Sequence, residues 1–366
     1  MQSSNRVVVV GAGVFGCAAA YYLAKRGAAV TVIERDDFSA HASSNNPGNL
    51  NPIHGAPTAL LPLSLTSFEL HRELADNLAD LGCPSYERQP VSRVLVAFDE
   101  QDSLHLHEAE QAFVGMEGFS CSRLEGNAVR HLDPRISHKV RTALLISGNM
   151  SINSALFHQA LADGAAGLGA RFVRDEVTAL ERDNNVITAA RTRDRLFPCD
   201  QLVLATGPWI SQAEKWLGVV QEVKPVKGEM LRIALPGAPL TYDFTRGMIS
   251  LYRRGLNECW IGVTKDQVGF DETPSTGGRR HLLQAAMEIM PCVADAQVLD
   301  HRAALRPMTP DGLPLAGRVP GWRNCYLANG GGIKGMLLCS GIGTAIADLI
   351  FDGETAIPMP MPISLQ

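Results

Sequence analysis

Three glycines and one acid near the start of the chain have the types and spacing to hold a dinucleotide. Gly11-Ala12-Gly13-Val14-Phe15-Gly16 follows the β-branched run Val7-Val-Val-Val10, and Glu34 closes a second apolar run, Val30-Thr-Val-Ile33. Gly11 permits a tight turn, and Gly13 lets backbone N–H groups reach a pyrophosphate at a helix N-terminus. Gly16 lets that helix lie against the strand, and Glu34 can accept hydrogen bonds from ribose hydroxyls. A lone G-x-G-x-x-G says little, because glycine turns are common. Strand, turn, helix, strand and acid in that order make the signal specific. Other chemistries have no such foothold: H-E-x-x-H, paired-cysteine ligand sets and G-x-S-x-G are all absent, so no metal is expected.

The elements that must position these residues follow from patterning. At 366 residues the chain is too long for one compact core and suits two intertwined domains. It is 46% apolar with a net charge of −5 and no Lys/Arg cluster, a balance that suits a small-ligand enzyme and not nucleic-acid binding. Eight cysteines without C-x-x-C spacing read as reduced thiols of a cytoplasmic protein. The run Val7–Leu23 is broken by three glycines, so it reads as a first βα unit and not as a targeting or transmembrane segment. Residues 39–62, rich in Ser, Asn, Pro and Gly, read as a long loop around a ligand. Helices are expected at 66–82, 101–114, 154–169 and 278–290. Strands are expected at 91–98, 170–174, 176–180, 186–190, 201–204, 223–233, 247–253 and 259–263. The segment between the 101–114 helix and about Arg141 reads as less regular. Near the end the opening logic returns: strand Cys325-Tyr-Leu-Ala, glycines 330–332, then a helix to Phe351. The fold class is thus α/β (α+β overall), a Rossmann-type nucleotide domain from residues 1–85, 140–215 and 300–366. It is interleaved with a β-rich substrate domain from 86–139 and 216–299.

Beyond the first glycine motif, A-T-G-P-W at 205–209 and L-R-P-M-T-P-D-G-L-P-L-A-G at 305–317 carry a resemblance. The chain resembles the FAD-dependent D-amino-acid oxidase superfamily, in its glycine oxidase, sarcosine oxidase and D-amino-acid dehydrogenase branch. I-G-V-T-K-D-Q-V-G-F-D at 261–271 is most similar to the glycine oxidase group, and A-S-S-N-N-P-G-N-L-N-P at 42–52 is similar to the flavin domain of a bifunctional tRNA-wobble-uridine modification enzyme. The resemblance implies FAD. It implies that the turn 43–49 touches pyrophosphate and isoalloxazine, with Ser43, Ser44, Asn46, Gly48 and Asn49 as contacts beside Glu34 and Arg35. Val177 would cover the adenine through its backbone amide, Ala205, Thr206 and Gly207 would end a strand at the cofactor, and Trp209 would pack there. Gly331, Gly332, Ile333, Lys334, Gly335 and Met336 would open a last helix whose positive end faces the flavin N1/C2=O edge. Lys334 would add a full charge there, the competing reading being a solvated lysine at a helix start.

The resemblance also gives Arg306 of the L-R-P motif the substrate carboxylate, a task that suits the two-pronged guanidinium. The alternative for Arg306 is capping of carbonyls or pairing with Asp311. Relatives carry a carboxylate-assisting tyrosine where this chain has Ile249; Tyr252, with Arg253, stands three positions on and is the candidate replacement. The lysine that sarcosine oxidases place before the I-G pair is Trp260 here, and no cysteine lies between Cys292 and Cys325 to attach flavin, so FAD is expected to be non-covalent. His54 and His301 are weighed as site histidines against ordinary structural roles. The implied reaction is oxidation of the C–N bond of a small amine or amino acid. Hydride would pass to flavin N5 and the imine would hydrolyse, with oxygen or a quinone/electron carrier as final acceptor. Alternatives are oxidation of a carboxymethylaminomethyl-type tRNA nucleoside, which calls for a basic surface, and a flavin-binding sensor without turnover. A peripheral location at the inner membrane face and a homo-oligomer are left open.

Overall fold

The computed structural model describes residues 5–219 and 222–360. Its first layer is a six-stranded sheet in the order Leu315–Arg318, Cys325–Asn329, Gln201–Leu204, Arg6–Val10, Ala29–Glu34, Arg171–Arg174. All neighbours are parallel except the antiparallel edge pair Leu315–Arg318 and Cys325–Asn329. Val7–Val10 lie mid-sheet and are buried, which explains a continuous β-branched run where an alternating one would mark a solvated face.

Helix Val14–Lys25 leaves the glycine turn and packs against helix Gly335–Phe351. A Cβ at Gly343 would sit 2.8 Å from the Ala18 carbonyl carbon and from Tyr22 Cδ2, and one at Gly341 would sit 2.4 Å from Ser67 Oγ. A glycine inside a helix costs about 1 kcal/mol against alanine. Here the missing side chains let three helices close on one another. Arg26 fastens the two ends further, reaching Asp348 at 3.2 Å and Asp352 at 2.7 Å.

The second layer is a nine-stranded sheet. Its main path runs Gln297–Met308, Lys224–Ala234, Glu258–Gly262, Ile249–Arg254, Asp243–Arg246, Gln89–Ala97, Thr142–Ser151, Asn49–Leu50, and Ser120–Glu125 pairs with Thr142–Ser151 off this path. Helix Thr276–Ile289 covers one face, burying Leu282 and Ala286 in a cluster with Val94, Phe244, Leu251 and Ile261. Thr142–Ser151 and most of Gln297–Met308, grouped by sequence with the nucleotide fold, take their hydrogen bonds from this second sheet. A third, three-stranded sheet (Ala179–Asp183, Val186–Arg191, Leu196–Pro198) completes the chain.

Three local expectations change. The 66–82 helix begins at Leu61, because Pro62 falls in its first turn, where a missing N–H is harmless; it ends at Asp80, before Gly82 at φ +75°. The 39–62 loop contains a short strand, Asn49–Leu50, and a 3₁₀ turn, Thr58–Leu60. The stretch before Arg141 holds a strand, Ser120–Glu125, and a short helix, Asn127–Leu132. Among the described residues no helix is long and apolar enough to cross a membrane, and all eight cysteines are free.

Candidate active site

The glycine turns from the two ends of the chain meet at one cavity. Gly11 has φ +100°, and a Cβ there would lie 2.4 Å from the Ala205 oxygen; at Gly16 it would lie 1.9 Å from the Gly11 oxygen. A Cβ at Gly331 would lie 2.8 Å from Phe15 Cζ and from Gly335 Cα, so the last turn is pressed onto the first. Asn329 Nδ2 donates to the Gly207 oxygen at 2.9 Å, and Gly332 N donates to the Pro307 oxygen at 3.1 Å. These bonds fix the turn at 330–332 against both Gly207 and the strand that carries Arg306.

The nucleotide end of the cavity is lined by Glu34, Arg35, Val177, Thr206 and Trp209. Glu34 accepts from Ala12 N at 2.7 Å and Asp36 N at 2.9 Å, which leaves each oxygen further acceptor capacity for ribose hydroxyls. Thr206 Oγ1 and Asn49 Oδ1 line the cavity buried without a partner, as polar atoms do where a ligand supplies the missing bond. Arg35 stacks over Trp209, 4.5 Å from the ring centre. His41, on the cavity wall, bonds Asp36 and Glu272 at 2.9 Å each, joining the loop of the first lobe to a loop of the second. Burial opposes its charge, but the two carboxylates outweigh burial and its pKa is raised.

Of the nucleotide-side residues expected from sequence, Gly11, Gly13, Val14, Phe15, Glu34, Arg35, Ser43, Asn46, Asn49, Val177, Ala205, Thr206, Gly207, Trp209, Gly331, Gly332, Ile333, Gly335 and Met336 line the cavity. Ala12, Gly16, Ser44 and Gly48 do not; they build the wall from behind. Ser43 Oγ accepts from Val14 N at 2.8 Å, so the 43–49 loop caps the first helix. Gly48 has φ +64°, and a Cβ would lie 2.0 Å from the Ile152 oxygen. Ser44 meets His158, a residue that periodicity did not single out. His158 Nε2 donates to the Ala12 oxygen at 2.7 Å and Nδ1 accepts from Ser44 Oγ at 3.0 Å, pinning loop to glycine turn. Burial draws His158 down to about 4, so it serves as a neutral hydrogen-bonding strut.

The opposite end is cationic. Arg306 lines the cavity and both terminal nitrogens donate to the Thr264 oxygen at 3.1 Å; Asp311 instead accepts from Leu313 N. No ion pair to Arg306 exists among the described residues. Burial lowers its pKa. Gly228 makes the space, since a Cβ there would lie 2.0 Å from Arg306 Nη2. Lys334 also lines the cavity and is 8% exposed, which rules out a solvated side chain. Its Nζ donates to the carbonyl oxygens of Asn51 and His54, and burial together with Arg93 brings its pKa down to about 7. His54 faces the same space and is held near 4 by burial, Lys334 and Arg93.

Tyr252 lines the cavity, whereas Ile249 packs in the core of the second lobe and Arg253 is not on the wall. Trp260 pairs across strands with Tyr252 but also stays off the wall. His301 is a correction to its candidacy: it bonds the buried Glu229 at 2.8 Å, away from the cavity. Arg93 went unremarked in the sequence, yet it lines the cavity. A lone arginine inside the apolar run Val91–Ala97 is the signal that was available.

The family model described as FAD dependent oxidoreductase (DAO) matches residues 6–349. The glycine oxidase of Geobacillus kaustophilus is 30% identical over 370 residues, covering 98% of this chain and 96% of the relative. That of Pseudomonas aeruginosa is 28% identical, covering 98% of each. The crystal structure of glycine oxidase from Geobacillus kaustophilus superposes with a TM-score of 0.90 at 28% identity over 96% of both chains. Iminodiacetate oxidase from Chelativorans sp. BNC1 superposes at 0.88 with 24% identity, over 98% of this chain and 97% of that one, a likeness of fold. Relatives of this kind are FAD flavoproteins that oxidise amines or amino acids, and the paired glycine turns, Glu34 and the orphaned Thr206 hydroxyl suit that cofactor. A match this nearly complete, on a cavity so furnished, places the chain in the DAO family of FAD-dependent oxidoreductases.

Proposed function

We propose that the protein oxidises the C–N bond of a small amine that carries a carboxylate, of the glycine, sarcosine or D-amino-acid type. The observation that carries this reading is Arg306: a half-buried arginine on the cavity wall, its charge disfavoured by burial, whose only hydrogen-bond acceptor among the described residues is a carbonyl. A buried charge without a counter-ion costs several kcal/mol, a cost that a bound carboxylate offsets. When bound, FAD supplies the two-electron acceptor for hydrogen leaving the carbon beside nitrogen. Among the described residues no cysteine lines the cavity, which supports non-covalent attachment.

The side chains then have separate tasks. Arg306 grips the carboxylate and so fixes the rest of the amine in position, and alignment of this kind supplies much of a rate enhancement. Gly228 keeps the guanidinium in place. Tyr252 walls the substrate beside Arg306. Lys334 contributes positive charge from the first turn of the last helix, charge that changes near neutral pH. Among the described residues four acids line the cavity, Glu34, Asp36, Asp175 and Glu176, all at the nucleotide end, so none of these stands ready to take a proton from carbon. Hydride departure needs none.

Anaerobic mixing of the flavin-loaded protein with glycine, sarcosine, D-amino acids, proline analogues and opines tests this. Loss of visible flavin absorbance with a carboxylated amine, but not with its decarboxylated counterpart, supports the proposal. Equal bleaching by both would refute it.

A further inference from the structure

The cavity carries a second arginine that the grip on one carboxylate does not use. Arg93, from strand Gln89–Ala97, is 8% exposed and lines the same cavity as Arg306. Its Nη2 reaches Asp243 Oδ2 at 3.4 Å, a long contact, while Nε is buried with no partner. Its guanidinium carbon lies 5.6 Å from the centre of the Tyr252 ring, which also walls the cavity.

Asp243 alone cannot satisfy the positive charge of this region. Asp243 is fully buried, and its other oxygen accepts from Arg253 N at 2.8 Å. Arg254, also buried, donates to the carbonyl oxygens of Arg253 and Pro47 and leaves its own Nε unpartnered. Buried Arg93 and Arg254, half-buried Arg306 and the buried Lys334 ammonium are thus set against one buried carboxylate, Asp243. Positive charge is in excess, and Arg93, Arg306 and Lys334 all line the cavity. The acids lining it are all at the nucleotide end. One carboxylate on Arg306 neutralises only part of this excess. Hydroxyls on the same wall, Thr245 and Ser250, are bonded to each other at 2.8 Å and add polar surface without charge.

We propose that Arg93 forms a second anion subsite, so that the preferred substrate is an amine bearing two carboxylates, one held by Arg306 and one by Arg93. The inference rests on the proposed grip of Arg306 on a substrate carboxylate. The unpartnered Nε and the loosely held Nη2 share one edge of the Arg93 guanidinium, a two-pronged donor that matches a planar carboxylate. Suitable substrates are secondary amines with a carboxylate on each arm, or amino acids with an acidic side chain.

Unreactive acids titrated into the flavin-loaded protein, followed by calorimetry and visible difference spectra, test the subsite. The probes are acetate and propionate against malonate, succinate and glutarate. One charge-assisted contact more should make the best diacid bind about ten- to hundredfold tighter than the monoacids. In the Arg93→Gln/Asp243→Asn double variant, which removes one buried charge of each sign, that advantage should vanish while acetate binds as before. A wild-type protein that binds diacids no tighter than monoacids would overturn the subsite, whether or not the variant folds. So would a variant that keeps the advantage. If acetate itself does not bind, the grip of Arg306 fails, and the subsite falls with it.

Discussion

Replacing Arg306 by alanine removes the group on which substrate recognition is argued to depend, and its consequences separate cleanly. A charge-assisted hydrogen bond contributes about 1.5–3 kcal/mol. Each terminal nitrogen of Arg306 gives one N–H to the Thr264 oxygen at 3.1 Å and keeps a second for a carboxylate. A loss of about 1.5–3 kcal/mol is expected, or roughly 10- to 150-fold in the Kd of acetate for the flavin-loaded protein. Stability should move differently. The folded protein disfavours the charge of Arg306 through burial, which Tyr252 and Asp266 offset only in part, so Arg306→Leu should leave the melting temperature unchanged or raised. Calorimetric titration with acetate, beside thermal melting of the same samples, reads both. An unchanged acetate Kd in Arg306→Ala would refute the reasoning, and a collapse of stability in Arg306→Leu would show that the arginine is structural.

Three further outcomes follow from the geometry. In Gly228→Ala the new Cβ would lie 2.0 Å from Arg306 Nη2, so carboxylate affinity should fall about as far as in Arg306→Ala while flavin content stays constant; unaltered binding would contradict the placement of the guanidinium. In Gly331→Val the side chain would strike Phe15 and Gly335, both 2.8 Å from the first added carbon, and flavin retained through gel filtration should drop; full retention would mean that the two turns need not touch. Burial holds His54, His71 and His158 near 4, against about 6.5 in an unfolded chain. Between those values the unfolded chain binds more protons, so stability falls as pH drops from 6.5 towards 4, by up to about 4 kcal/mol per unit for the three together. Urea midpoints at pH 7 and pH 5 check this, and equal midpoints would contradict it.

What the sequence made legible divides along physical lines. The glycine turn, Glu34 and the last helix start were readable because each answers a local demand: a positive φ, a close approach, an exposed helix end. The match of Gly331 to Phe15 follows from those demands once the ends meet. Strand membership was harder. Thr142–Ser151 pairs with Gln89–Ala97 across some fifty residues, and nothing in its local pattern says which of two sheets supplies its hydrogen bonds. His158 and Arg93 were missed for a related reason. A helix-borne histidine is visible as a residue but its partners, Ala12 and Ser44, are distant in sequence. Arg93 stood out only as a charge in an apolar strand, and its meaning depends on Asp243, Tyr252 and Arg306 arriving from other strands. His301 shows the converse: its place beside the Arg306 strand suggested chemistry, and a buried glutamate accounts for it.

The most direct test of the account is a crystal structure of the flavin-loaded protein with acetate bound. The account places the carboxylate on Nη1 and Nη2 of Arg306, between Tyr252 and the flavin, with the flavin's pyrophosphate beside Gly13 and its ring beside Gly331–Lys334. A carboxylate bound elsewhere, with the Arg306 guanidinium still held on Thr264, would contradict it.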